Sequence, residues 1–100
     1  MHEFFILKEA VQGLGIEATA EELHPDVFGS AYCVFGAGTN PSFRLVWDGK
    51  DGFGILQIQD SVGTWIDIGP FVPEGAGPHS PQFSELLFVA KSMVVPHGPA

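Results

Sequence analysis

Phe43-Arg44-Leu45-Val46-Trp47-Asp48-Gly49-Lys50-Asp51-Gly52-Phe53-Gly54-Ile55-Leu56-Gln57-Ile58-Gln59 is the stretch from which the fold can be read. In its first part, Phe43, Leu45 and Trp47 alternate with Arg44, Val46 and Asp48. An extended chain therefore puts the first three on one face and the others on the opposite face. The connection holds two Asp-Gly pairs, Asp48-Gly49 and Asp51-Gly52, suited to the positive φ angles of a tight turn. An apolar run on each side of such a turn makes a β-hairpin.

The same period of two continues outward. Ala31, Cys33 and Phe35 alternate with Tyr32 and Val34, and Gly36-Ala37-Gly38-Thr39-Asn40-Pro41 marks the turn into the hairpin. On the other side, Asp60-Ser61-Val62-Gly63 makes a turn, after which Thr64, Ile66 and Ile68 alternate with Trp65 and Asp67. Four strands joined by short connections favour an antiparallel meander, because parallel pairs need long crossovers.

The flanks change period. Phe4, Leu7, Val11 and Leu14 recur at three- and four-residue steps, which predicts a helix over Glu3 to Gln12, stopped by Gly13 and Gly15. Thr19 followed by Glu22 matches a capping box and suggests a short helical turn from Ala20 to Leu23, ended by His24-Pro25. Gly69 to Ser80, rich in Gly and Pro, reads as a long loop. Ser80-Pro81 then reads as an N-cap with proline in the first helical position. Phe83, Leu86, Leu87, Ala90 and Val94 form one stripe, so a C-terminal helix is expected from Pro81 to about Val94, with a tail over 96–100. The expectation is one α+β domain over 1–95. It is a two-layer arrangement in which a four-stranded antiparallel meander sheet is packed by an N-terminal and a C-terminal helix.

Composition narrows the chemistry. Of 100 residues, 45% are hydrophobic and nine are Phe, enough for a single core and against disorder. A lone cysteine forms no internal disulfide, which suits a reducing compartment. The N-terminus lacks a basic region and a long apolar run, and no segment reaches the roughly 20 apolar residues that span a bilayer. A cytoplasmic protein is the expectation. Twelve acidic residues oppose four Lys and Arg, for a formal charge of −8. Half of the acids, Glu3, Glu9, Glu17, Glu21, Glu22 and Asp26, fall within the first 26 residues against Lys8 alone. Such a charge attracts cationic partners and repels nucleic acid and anionic membranes, so neither of the latter is expected as a partner.

The catalytic motifs that such a chain could carry are absent from its spacing. His2 and His97 stand at the ends, His24 precedes a proline, and His79 adjoins Ser80, whose capping role is the simpler reading. Cys33 lies within an alternating apolar run and reads as a small core hydrophobe. One Cys and scattered His do not make a zinc site, and Asp48 to Gly52 lacks the oxygens and terminal Glu of a calcium loop. Gly36-Ala37-Gly38 is not followed by Gly-Lys-Ser/Thr, so it is no phosphate loop. No catalytic residue, metal or cofactor is expected, and no enzyme.

Binding to another protein is the remaining function class. Glu17, Glu21, Glu22 and Asp26 are the candidate charge-steering residues, and Phe71 and Val72, set between prolines, are the candidate apolar anchors. In size, charge and want of catalytic motifs the chain resembles the small acidic immunity proteins of bacterial toxin systems. That resemblance carries over no site residue. It implies an inhibitor, immunity or antitoxin-type protein that neutralises a basic toxin or nuclease by direct binding. The alternatives are a nucleic-acid-mimicking anti-defence or regulatory protein, a small-molecule-binding or enzymatic domain with a pocket under the 69–80 loop, and a homodimer formed through an exposed sheet.

Overall fold

The computed structural model describes residues 2–27, 29–37 and 42–94. A helix, α1 (His2–Gln12), leads into five strands: β1 (Glu17–His24), β2 (Ser30–Ala37), β3 (Phe43–Asp48), β4 (Phe53–Gln59) and β5 (Trp65–Pro73). A second helix, α2 (Pro81–Ser92), ends the domain. The strands form one antiparallel sheet in the order β1-β2-β3-β4-β5, as short connections dictate. Both helices pack on the same face of it and touch each other. The tail expected over 96–100 lies outside the described residues.

The hairpin sits where its sequence predicts. Asp48 Oδ1 accepts from the backbone N–H of Lys50 and Asp51, both at 3.0 Å, and Gly52 takes the positive φ, 73°. Phe43, Leu45 and Trp47 are buried beneath the helices, while Arg44, Val46 and Asp48 face the other way. Cys33 and Leu56 flank Leu45 in register on the buried face. Phe4, Leu7 and Val11 of α1, with Phe83, Leu86 and Ala90 of α2, close this core.

Two expectations change. The segment read as a capping box and helical turn is β1, so the sheet has five strands rather than four. Thr19 is the extra residue of a bulge between Ala18 and Ala20, and its hydroxyl donates to Val34 O at 3.3 Å instead of capping a helix. Glu22 pairs across the strands with Tyr32. The chain stays extended here because β2 supplies a complete ladder for seven of its residues, whereas one helical turn would satisfy almost none of its own backbone groups.

The second change is at β5, which runs on through Gly69, Pro70, Phe71, Val72 and Pro73. Much of the segment expected as a loop is thus edge strand. Between the pairs Leu56–Ile68 and Gly54–Val72 the register slips, and Gly69 adopts φ 74° there. Pro70 and Pro73 lack the N–H of a central strand but are tolerated at an edge. A Cβ on Gly69 would lie 3.2 Å from Val89 Cγ2, so the missing side chain also lets α2 settle against β5. Helix α2 starts at the expected cap, with Ser80 Oγ accepting from Phe83 N–H at 3.2 Å.

Gly54 fixes how α1 docks. It lies between Trp47 and Val72 in register, and the gap above it receives the Leu7 side chain. A Cβ at this position would stand 2.7 Å from Leu7 Cδ1 and 3.2 Å from Trp47 Cε3. Both neighbours are buried and have little room to yield. Gly54→Ala is expected to lower stability by about 1–3 kcal/mol through overpacking. Urea unfolding of the two proteins checks this, and an unchanged midpoint would refute the docking role.

Candidate functional site

With both helices on one face, the opposite face of the sheet carries no further layer among the described residues. The molecule is 44 × 33 × 18 Å, as a slab of two layers should be. Strand alternation assigns this open face Tyr32 and Val34 from β2, Arg44 and Val46 from β3, Phe53 and Gln57 from β4, and Trp65 and Asp67 from β5. All except the exposed Asp67 are half-buried.

A row of side chains crosses this face from one edge to the other. The Tyr32 hydroxyl donates to Glu22 Oε2 of β1. The Arg44 guanidinium lies 5.2 Å from the Tyr32 ring centroid and 4.3 Å from that of Trp65. Arg44 Nε donates to Gln57 Oε1 at 2.8 Å, and Gln57 Nε2 donates to Asp67 Oδ1 at 2.7 Å. All five strands contribute. The hydrogen bond to Glu22 holds the proton on Tyr32 and raises its pKa, with partial burial and the Glu22 charge acting in the same direction. Burial lowers the pKa of Arg44, a cost of holding the cation against the sheet.

The candidate acids occupy the neighbouring edge. Glu17, Glu21 and Glu22 are exposed on β1, and Asp26 is exposed in the turn that follows. They do not form one face, because alternation separates Glu21 from Glu22. Glu21 turns to the helix side and pairs with Lys8 of α1. Glu22 turns to the open face, where its carboxylate meets Tyr32 and lies 3.3 Å from His24 Nε2. The candidate apolar pair also separates. Val72 is 2% exposed within the core, whereas Phe71 is 53% exposed and packs edge-on against Phe53, with centroids 4.8 Å apart.

Cys33 and His24 are kept apart by the sheet. Cys33 is buried on the helix side, and His24 lies beside Tyr32 and Glu22 on the other. Burial pushes the Cys33 thiol up to about 11, the opposite of what a nucleophile needs. His79 is exposed, and Ser80 next to it is occupied in capping α2. Among the described residues no three His, Cys, Asp or Glu side chains group to hold a metal ion. The space lined by Glu3, Leu7, Val72, Ala76 and Phe83 near the 74–80 connection is about 10 Å³, room for roughly one water and for no substrate.

The raised thiol pKa has a consequence for stability. Below the ordinary value of 9.0 the thiol is neutral in both folded and unfolded chains. Between 9.0 and about 11 the unfolded chain loses the proton first, so stability falls as pH rises through that window. The total for a shift of this size is on the order of 2–3 kcal/mol. Denaturant unfolding from pH 8 upward, compared with Cys33→Ala, tests this: the substitution should flatten the alkaline decline, and an equal decline would refute it.

No family model, no curated protein and no solved structure matches this chain. No helix among the described residues is long and apolar enough to cross a membrane. The functional reading therefore rests on the geometry of the open face and its acidic edge.

Proposed function

We propose that this protein works by binding another protein, as an inhibitor of the immunity or antitoxin type that covers a basic partner with the open face of its sheet. One observation carries the reading: a broad sheet face without a covering layer, set beside an edge strand whose side chains include Glu17, Glu21 and Glu22. A slab face with extents of 44 × 33 Å is large enough for the roughly 800 Å² that each partner contributes to a standard interface. Tyr32, Trp65, Phe53 and Phe71 supply the aromatic contacts that dominate such interfaces. The carboxylates of β1 set the approach, because charge at the rim acts mainly on the rate of encounter.

The edges of the sheet favour use of the face over strand addition. On β1 the exposed carboxylates repel the same strand of a second copy, and on β5 the prolines interrupt the ladder. Co-expression with a basic protein encoded beside this chain, followed by size-exclusion chromatography at low salt, tests the reading. A stable complex of the two is the expected result. Separate elution of both proteins at low salt would remove this partner class.

A further inference from the structure

The centre of the open face holds a cation without a counter-ion. Ion pairs among the described residues join Lys8 to Glu21 and His24 to Glu22, and none involves Arg44. The two acids nearest in the row are engaged by neutral groups: Gln57 takes Asp67, and the Tyr32 hydroxyl takes Glu22. Of the five N–H donors of the guanidinium, the one on Nε is used by Gln57, and its terminal nitrogens donate to no described residue. Tyr32 and Trp65 restrict the group sterically and remove part of its water. A partly desolvated charge with its fork of donors vacant is an arrangement that an incoming anion completes.

We infer that Arg44 is a carboxylate receptor, its terminal nitrogens accepting one singly charged carboxylate in a bidentate pair. The surroundings select the charge of the ligand. Glu22 and Asp67 stand at either end of the row, so a dianion or a polyanion meets repulsion that a single carboxylate escapes more readily. The planar fork matches a carboxylate, and its aromatic neighbours hold it in one orientation before the ligand arrives. This goes beyond the proposed function and does not require a basic partner. Within such a complex the same site receives an acidic side chain or a chain terminus, which fixes the register of an interface otherwise led by the opposite charge.

The test uses the whole protein, labelled with ¹⁵N, and follows the Arg44 Nε–H and Trp65 indole N–H signals. The probes are acetate, inorganic phosphate and a capped tripeptide whose one charge is a glutamate side chain. Saturable shifts of both signals with acetate or peptide are expected, with phosphate weaker at equal concentration. Arg44→Lys keeps the charge and the aliphatic stem but loses the fork, and should weaken carboxylate binding about tenfold. Tighter binding of the peptide than of acetate assigns the site to a protein carboxylate, and equal binding assigns it to a free acid. Absence of a saturable shift with either carboxylate, a preference for phosphate, or an unaltered response in Arg44→Lys would overturn the inference. Complex formation with a basic protein is measured separately, so this site and the proposed function can fail independently.

Discussion

Phe43→Ala is expected to destabilise the fold by about 3–5 kcal/mol, a large part of the 5–15 kcal/mol available to a domain of this kind. Phe43 is completely buried in β3, one strand in from its hairpin partner β4, and stacks on Phe35 with ring centroids 5.2 Å apart. In register it lies between Phe35 and Ile58, so alanine leaves a cavity bordered by two other strands. For a chain of 100 residues the melting temperature should fall by roughly 15 °C or more. Val62→Ala is the control. Val62 is 81% exposed in the turn before β5, and its loss should change stability by less than about 0.5 kcal/mol. Similar effects of the two substitutions would contradict the placement of the core.

Neutralising the acids of the β1 region is expected to have the largest effect on association. In Glu17→Gln, Glu21→Gln, Glu22→Gln and Asp26→Asn combined, four negative charges are removed from one edge of a molecule of formal charge −8. Binding to a basic partner should slow by about 10- to 100-fold at low salt, and the difference should shrink as salt shortens the screening length. Folding should change little, because the ion pairs lost with Lys8 and His24 are exposed and such pairs contribute about 0–1 kcal/mol each. Alternation in β1 adds a finer expectation. Glu22 faces the open side and Glu21 the helix side, so Glu22→Gln alone should slow binding more than Glu21→Gln alone. Stopped-flow rates against stability measurements separate these effects, and unchanged rates would exclude this edge from the encounter.

The parts of the fold that were legible in the sequence are those with one wet and one dry side. Phe43 to Trp47 alternates because the helices bury every second residue, and Phe83, Leu86 and Ala90 recur because one stripe of α2 meets the sheet. Strand β1 gives no such signal. Seven of its eight residues are exposed, so Glu21 and Glu22 can follow each other without either entering the core. Strand β5 hides for a different reason: Gly69, Pro70 and Pro73 are chain breakers in isolation, yet an edge strand with a register slip accommodates them.

The site divides in the same way. Local alternation places Arg44 opposite Phe43 and Leu45, and acid content directs attention to β1. The row through Arg44 could not be read locally, because Tyr32, Gln57 and Trp65 lie 12, 13 and 21 positions away and meet it only through the pairing of four strands. Val72 was legible as apolar but not as buried. Its burial depends on the register slip at Gly69, which turns Val72 toward the core and leaves Phe71 outside.

The most direct measurement is to map the bound surface by ¹H–¹⁵N chemical-shift changes as a basic protein that co-purifies with this chain is added. The account predicts changes and line broadening at Tyr32, Arg44, Gln57 and Trp65, together with the β1 residues around Glu22. Perturbations confined to the helix side, around the exposed Phe88 and its neighbour Lys91, would contradict it.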